Sequence, residues 1–277
     1  METMPDIRIS TITQIGNLSS NINLKELYNS IDISPQIKYI EYGDMIPKGI
    51  SNKKKKKKII EPKGKRKKYF YNQVSLQIYI GKIVNLKLFN NGAFQMTGLK
   101  SDEMGLKVIQ IFIDIINSHN YRDNIIENKL TLLHRKIVLI NSDFDIGFKI
   151  NNPVLHRLMI DNDYYSSYES CIYPGVNIKY YYNKSATHDF GKCSCSNPCD
   201  GKGNNENCKK ITVAVFNSGK IIITGGQSIE HIQIAKDFII DFIHKHKREI
   251  MLNYNKNIIY IQSLWRGKLI RKLINTK

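Results

Sequence analysis

One stretch of this chain is written twice. Phe89-Asn90-Asn91-Gly92 leads to Thr97-Gly98, Ser101 and Glu103, and 127 residues later, without a gap, Phe216-Asn217-Ser218-Gly219 leads to Thr224-Gly225, Ser228 and Glu230. Over 89–116 against 216–243, ten of twenty-eight positions are identical, ending with Ile113/Ile240, Asp114/Asp241 and Ile116/Ile243. A unit this long and present only twice is not a solenoid, which needs three or more stacked copies. It implies two similar halves related by a pseudo-two-fold, suited to a partner with an approximate two-fold of its own.

Charge narrows that partner. The chain has 42 Lys+Arg against 24 Asp+Glu, a formal +18, which favours a polyanion. Residues 53–68 hold eleven basic residues and one Glu, and 245–277 hold nine and one, so the rest of the chain is balanced. A lysine run alone reads as a solvated segment. A basic loop together with a basic tail points to nucleic acid, and duplex DNA also supplies the two-fold. Met1–Asp6 has no basic or apolar leader pattern, so no signal peptide is expected. No apolar run reaches the roughly 18 residues of a membrane span, so no membrane partner is expected. The expected compartment is reducing: the nucleus, or a cytoplasmic viral factory if the chain is viral. The carboxylates are scattered, and no nucleophile–base motif or phosphate loop is present, so no catalysis is expected.

Ile7–Ile12 alternates as a half-buried strand does, and Asn23–Tyr28 reads as a short helix. Strands are expected at Tyr71–Tyr79, Ile83–Phe89 and Ala93–Met96. A helix then opens at Ser101, a good N-cap followed by acids that suit the helix N-terminus. The second half repeats this: a strand at Lys136–Ile140, a helix at Pro153–Met159, strands near Val176–Tyr182, Ile211–Phe216 and Lys220–Ile223, and a helix from Ser228. Each half reads β-α-β-β-β-α, an α+β fold with helices on one sheet face and the other left open.

These residues resemble the TATA-box-binding protein family. Phe89-Asn90-Asn91-Gly92…Thr97-Gly98 and Phe216-Asn217-Ser218-Gly219-Lys220…Thr224-Gly225 are similar to its paired Phe-x-Ser-Gly-Lys…Thr-Gly-Ala-Lys segments. Tyr165-Ser166-Ser167-Tyr168-Glu169…Tyr173-Pro174-Gly175 is similar to its Phe-Ser-Ser-Tyr-Glu…Phe-Pro-Gly, and Ile9-Ser10-Thr11-Ile12 to its Val-Ser-Thr-Val. Glu41-Tyr42…Pro47-Lys48 is similar to its Glu-Tyr-Asn-Pro-Lys, and the resemblance covers about 7–250. It implies a pseudo-two-fold saddle: a curved antiparallel sheet with helices on the convex face and a concave face laid on the A·T-rich minor groove of double-stranded DNA. The halves are expected at 1–125 and 126–250.

By the same resemblance, two aromatic pairs wedge between base steps, Tyr71 with Phe89 and Tyr173 with Phe216, two of the four being Tyr where the family has Phe. Gln95, Thr97, Ile222 and Thr224 match floor positions. The family's Asn on each first strand is missing; Ile7 and Leu139 stand there, with Asn141 two residues on. Strict TATA preference is thereby in doubt, while readout of DNA shape is not. Glu169 matches a site offered to a B-type initiation factor, so initiation factors and RNA polymerase are the implied protein partners. The expected role is a general transcription factor that binds and bends promoter DNA. The alternatives are an architectural DNA-binding protein of low sequence preference, and a scaffold that no longer binds DNA.

Three additions depart from the family. The lysine loop falls in an insertion at 43–68 and reads as a source of phosphate contacts or as a nuclear import signal. A second insertion, 184–210, separates Tyr173 from Phe216 by 43 residues where Tyr71 and Phe89 are 18 apart. It holds Cys193, Cys195, Cys199 and Cys208, four thiols that can close a tetrahedral zinc site or stay as reduced thiols, with His188 as a spare ligand. The tail, 251–277, carries Ile261, Gln262, Arg266, Gly267 and Arg271 in the IQ pattern, a basic amphipathic helix of the kind calmodulin-like proteins grip.

Overall fold

The doubled motif becomes a doubled turn. Gly92 has φ 76° and donates its N–H to the Phe89 carbonyl at 3.1 Å; Gly219 has φ 91° and donates to that of Phe216 at 2.9 Å. A side chain is excluded at both by backbone: a Cβ would stand 2.6 Å from the Ser20 oxygen in one and 2.2 Å from the Phe148 oxygen in the other. The Asn after each Phe serves the same end, its carbonyl accepting from Ile22 N–H at Asn90 and from Ile150 N–H at Asn217. So Phe-Asn-x-Gly repeats because one tight turn, held against one neighbouring loop, is built twice.

The computed structural model describes residues 5–51, 69–118, 122–183, 191–193, 195, 199–203 and 208–252. Its elements in order are β1 (Arg8–Leu18), α1 (Leu24–Ser30), β2 (Ile37–Tyr42), β3 (Lys48–Gly49), β4 (Gln73–Tyr79), β5 (Ile83–Phe89), β6 (Ala93–Leu99), α2 (Asp102–Asn117) and α3 (Arg122–Ile125). There follow β7 (Leu132–Asp145), α4 (Asn152–Asp161), β8 (Tyr165–Glu169), β9 (Tyr173–Tyr182), β10 (Lys209–Phe216), β11 (Lys220–Gly226), α5 (Ile229–Lys245) and α6 (Lys247–Ile250). The class is α+β with antiparallel pairing, as expected. Each half carries one long strand more than the sequence suggested: β2 in the first and β8 in the second.

The helix starts also repeat. Asn23 and Asn151 cap α1 and α4 by accepting from Glu26 and Val154 N–H. Ser101 accepts from Met104 N–H at the start of α2, and Ser228 from His231 N–H at the start of α5, each at 3.2 Å. Such caps satisfy backbone donors that the first helical turn cannot.

Contacts divide the described residues into two compact units, one within 7–142 with 224–232, the other within 143–223 with 5–6 and 233–252. In the first the strand order is β3-β2-β4-β5-β6-β1-β7. Val74, Leu76, Ile78, Val84, Leu86, Leu88, Phe94 and Met96 point to one face and are almost fully buried. α1 and α2 lie against this unit's strands, α2 burying Val108, Ile109, Phe112, Ile113 and Ile116. Each such side chain contributes about 1.5–3 kcal/mol by leaving water. In the second unit the order is β11-β10-β9-β8, with Val176, Ile178, Tyr180, Ile211, Val213, Val215, Ile221 and Ile223 buried.

Candidate nucleic-acid interface

A strand turns alternate residues to opposite faces, so burying one set exposes the other. In the first unit the set opposite the core is Gln73 and Ser75 on β4, Asn85, Lys87 and Phe89 on β5, and Gln95 and Thr97 on β6, all partly open, with Gln77 of β4 in line with them but only 2% exposed. Register arranges them in rows. Gln73 faces Phe89; Ser75, Lys87 and Gln95 form a second row; Gln77, Asn85 and Thr97 form a third, which Thr13 of β1 extends. In that third row the Gln77 amide donates to the Asn85 side-chain oxygen at 3.2 Å.

The second unit repeats the grid with different chemistry. Gly175 faces Phe216, Asn177 faces Ala214, Lys179 faces Thr212 and Tyr181 faces Lys210. Lys179 and Thr212 stand at the same four-residue step from Gly175 and Phe216 as Gln77 and Asn85 do from Gln73 and Phe89. The Lys179 ammonium donates to the Thr212 hydroxyl at 2.9 Å. Equivalent positions therefore hold a neutral amide pair in one half and a cation with a hydroxyl in the other. Partial burial, and then the charge of Lys210, push the Lys179 ammonium below its ordinary range.

The ring pairs differ as well. Tyr173 and Phe216 meet with centroids 5.6 Å apart and planes at 61°, over Gly175. A Cβ on Gly175 would stand 2.9 Å from the Tyr173 ring and 3.1 Å from that of Phe216, so the missing side chain is what lets the rings close. Tyr71 sits two residues before Gln73, as Tyr173 does before Gly175, and is exposed. Its ring packs edge-on to Tyr42 at 6.2 Å, above Gly43. Phe89 is half-buried.

Among the floor residues, Gln95 and Thr97 lie in the rows described. Ile222 is 37% exposed on β11, and the next open position, Thr224, donates its hydroxyl to the Asn141 side chain on β7. Asn141 stands two residues past Leu139, and only strand register shows that it is the one to meet Thr224. Two lysines of the family-like segments have backbone partners: Lys48 reaches the Asn29 and Ile31 carbonyls, and Lys100 those of Ile9 and Ser10. Glu169 ends β8, exposed, at the turn whose Ile172 N–H returns to its carbonyl at 3.0 Å. The lysine loop, His188, and Ile261, Gln262, Arg266, Gly267 and Arg271 lie outside the described residues.

The four cysteines converge. Their Sγ atoms all lie within 4.8 Å of one another, with Cys195 to Cys208 at 3.5 Å and Cys193 to Cys208 at 3.9 Å. Those separations are far beyond a disulfide bond of about 2.05 Å. They match the edge of about 3.8 Å of a tetrahedron whose Zn–S bonds are about 2.3 Å. Two N–H donors also face the sulfurs: Cys208 N–H to Cys195 at 3.4 Å, and the Asn183 amide to Cys208 at 3.9 Å. Donors to sulfur are the outer-shell support a thiolate ligand set takes. The cluster can hold a metal ion.

Antiparallel strands that bury one face under helices, with a repeated grid of aromatic, amide and cationic side chains on the other, define a protein of the TATA-binding fold. A structure of Methanococcus jannaschii TBP matches with a TM-score of 0.51 at 20% identity, over 87% of this chain and 99% of that one. The family described as transcription factor TFIID (or TATA-binding protein, TBP) matches residues 135–246. A mimivirus protein described as TATA-box-binding protein-like, from Acanthamoeba polyphaga mimivirus, is 27% identical over 93% of this chain and 68% of its own length. The chain is similar to the TATA-box-binding protein family in sequence over 135–246 and in fold over most of its length. Its general role is that of a TBP-like transcription factor, in a family of DNA-binding proteins rather than enzymes. No helix among the described residues is long and apolar enough to cross a membrane.

Proposed function

We propose that this protein binds double-stranded DNA through the open strand faces, enters the A·T-rich minor groove, and bends promoter DNA to start transcription. The observation that carries this reading is the Tyr173–Phe216 pair: two rings in contact at the end of a hairpin, on a face the core does not use, with Lys179 four residues past Gly175 on the same face. A wedge must be apolar, rigid and presented to solvent, and these rings are. Tyr71 and Phe89 form the corresponding wedge of the first repeat, Tyr71 leaving its contact with Tyr42 to do so. Thr97, Thr224, Gln95 and Ile222 line the floor. The repeats run 1–125 and 126–250. Initiation factors and RNA polymerase are the protein partners, Glu169 being one docking point, and the compartment is the nucleus or a viral factory. Zinc is the ion assigned to the four thiols, and a calmodulin-like protein is assigned to the IQ-type tail on its sequence alone.

A second reading, architectural binding of low sequence preference, is favoured by Leu139 on β7 where the family has Asn, and by the engagement of Asn141 with Thr224. Equilibrium binding to a TATA-containing duplex and a scrambled one, each at two salt concentrations, tests both. Strong preference for the first duplex supports promoter recognition. Equal, salt-sensitive affinity supports the architectural reading. Absence of binding to either refutes DNA binding altogether.

A further inference from the structure

Resting on the reading of the open face as a DNA interface, we propose that a zinc ion held by Cys193, Cys195, Cys199 and Cys208 positions Lys210 to grip phosphate at the far end of the β9–β10 hairpin. The insertion is tied to both strands. Tyr181 N–H on β9 donates to the Gly191 carbonyl at 2.9 Å, and Lys210 N–H on β10 to that of Gly201 at 2.8 Å. Gly203 N–H closes back onto the Cys208 carbonyl at 3.1 Å. Metal at the cysteines therefore clamps the tip of the same hairpin whose other end carries Tyr173 and Phe216.

The stem of Lys210 rests on this insertion. A Cβ on Gly201 would stand 2.6 Å from the Lys210 Cβ and 3.3 Å from its Cδ and Cε. The backbone at Gly201 thus acts as a bed for most of the side chain, and its location decides where the ammonium points. Lys210 shares the open face with Thr212 and Phe216 and faces Tyr181. Six residues separate it from Phe216, about 20 Å at roughly 3.3 Å per residue, so it reaches a phosphate distinct from any beside the rings. The described part of the insertion is Gly191, Lys192, Cys193, Cys195, Cys199, Asp200, Gly201, Lys202 and Gly203. With Cys208, Lys209 and Lys210 they offer few apolar side chains besides the thiols, so coordination is the stronger source of order among them.

Electrostatics gives this proposal a sign that a charge effect alone cannot imitate. Four thiols release four protons on binding Zn²⁺, and the resulting centre carries a net charge of −2. Loading makes the hairpin tip more negative, which by itself weakens attraction to DNA. Positioning of Lys210 has the opposite effect. If loaded protein binds DNA more tightly than stripped protein, order has outweighed charge.

The test uses the full chain in zinc-loaded and chelator-stripped forms, with Cys199→Ser and Lys210→Ala variants. Metal is measured by mass spectrometry, folding by circular dichroism, and duplex binding by anisotropy across a salt series. The expected result is one zinc per loaded chain and a stripped form that keeps its circular dichroism. Stripping should lower the slope of log K against log salt by about 0.9, the value of one phosphate contact on B-DNA. Lys210→Ala should lose the same slope, and stripping it should cost nothing further, because the two changes act on one interaction. Should Cys199→Ser fail to fold, stripping of the unaltered chain answers the same question. Zinc near zero overturns the metal site. Loaded protein that binds no DNA overturns the interface and this inference with it. Zinc bound and DNA bound, but with stripping that leaves the slope unchanged or tightens binding, overturns the link between them.

Discussion

Truncating Phe216 to Ala should abolish DNA bending and leave the protein folded. Phe216 ends β10 half-buried on the open face, and its described ring partner is Tyr173 at 5.6 Å. An aromatic pair of this kind contributes about 0.5–1.5 kcal/mol beyond area burial, so with the partial burial removed the variant should be destabilised by roughly 1–2 kcal/mol. Phe94 provides the contrast: it lies on β6 facing the core, 2% exposed, where Phe→Ala costs about 3–5 kcal/mol. Domains of this kind have about 5–15 kcal/mol in hand, so Phe216→Ala stays folded at room temperature with a modestly lower Tm. On DNA the wedge trades unstacking of a few kcal/mol per step for a bent duplex that touches more protein. Without the ring the kink is no longer stabilised, and the bend should collapse more than the affinity. Energy transfer between dyes at the two ends of a short duplex reads the bend, and thermal denaturation of the free protein reads the fold. A variant that bends DNA like the parent would remove the ring from the mechanism. A loss of stability matching that of Phe94→Ala would show that the ring belongs to the core.

Three further outcomes are expected. Gly16→Ala should lower Tm by several degrees, because its Cβ would lie 2.3 Å from the His134 carbonyl oxygen and 2.5 Å from the Phe94 ring, overpacking that costs about 1–3 kcal/mol; an unchanged Tm contradicts the packing. Deleting 53–68 should reduce the salt slope of DNA binding by about 0.9 for each phosphate the loop neutralises, while leaving sequence preference intact; an unchanged slope with failed nuclear entry would make the run an address instead. Tyr39 and Tyr180 should ionise late in an absorbance titration, both pushed up to about 12, Tyr39 by burial and then Glu41, Tyr180 by burial and then Tyr182 and Tyr164. A raised folded value means the native state keeps protons the unfolded chain gives up above pH 10. This stability is whole below pH 10 and drains away as pH climbs from 10 through 12; titration of every tyrosine near 10 with the fold intact would contradict it.

What can be read in advance follows from where the signal is local. Phe-Asn-x-Gly, the Ser caps and the apolar helix faces each depend on a few adjacent residues, so the repeat and its helices are visible from the chain. β8 is not, because Tyr165–Glu169 is an edge strand with little burial on either side, so no alternation marks it. β2 escapes for the opposite reason: Tyr39 and Ile40 are both buried, which breaks the period of two. The aromatic positions proposed as wedges and the four cysteines can be picked out by family resemblance and by spacing, yet the contacts they make cannot. That Thr224 meets Asn141, that Gln77 bonds Asn85, or that Lys210 lies on Gly201 is set by register between segments that the chain alone does not align. Periodicity within one segment cannot carry that information.

The amide pair at Gln77–Asn85 and the cation–hydroxyl pair at Lys179–Thr212 have a consequence for direction. A protein with two chemically equal halves cannot distinguish upstream from downstream; it sits on a duplex either way round, and transcription starts toward both sides. A lysine at one of two equivalent registers breaks that tie wherever the DNA itself is uneven. A narrow, A-tract-like groove concentrates negative potential, so if the protein binds DNA as proposed, the half carrying Lys179 would be drawn to the end where the groove is tightest. On the proposed reading, the chain would take its heading from the shape of the DNA, through two differences between its repeated hairpins, Gln77 against Lys179 and Asn85 against Thr212.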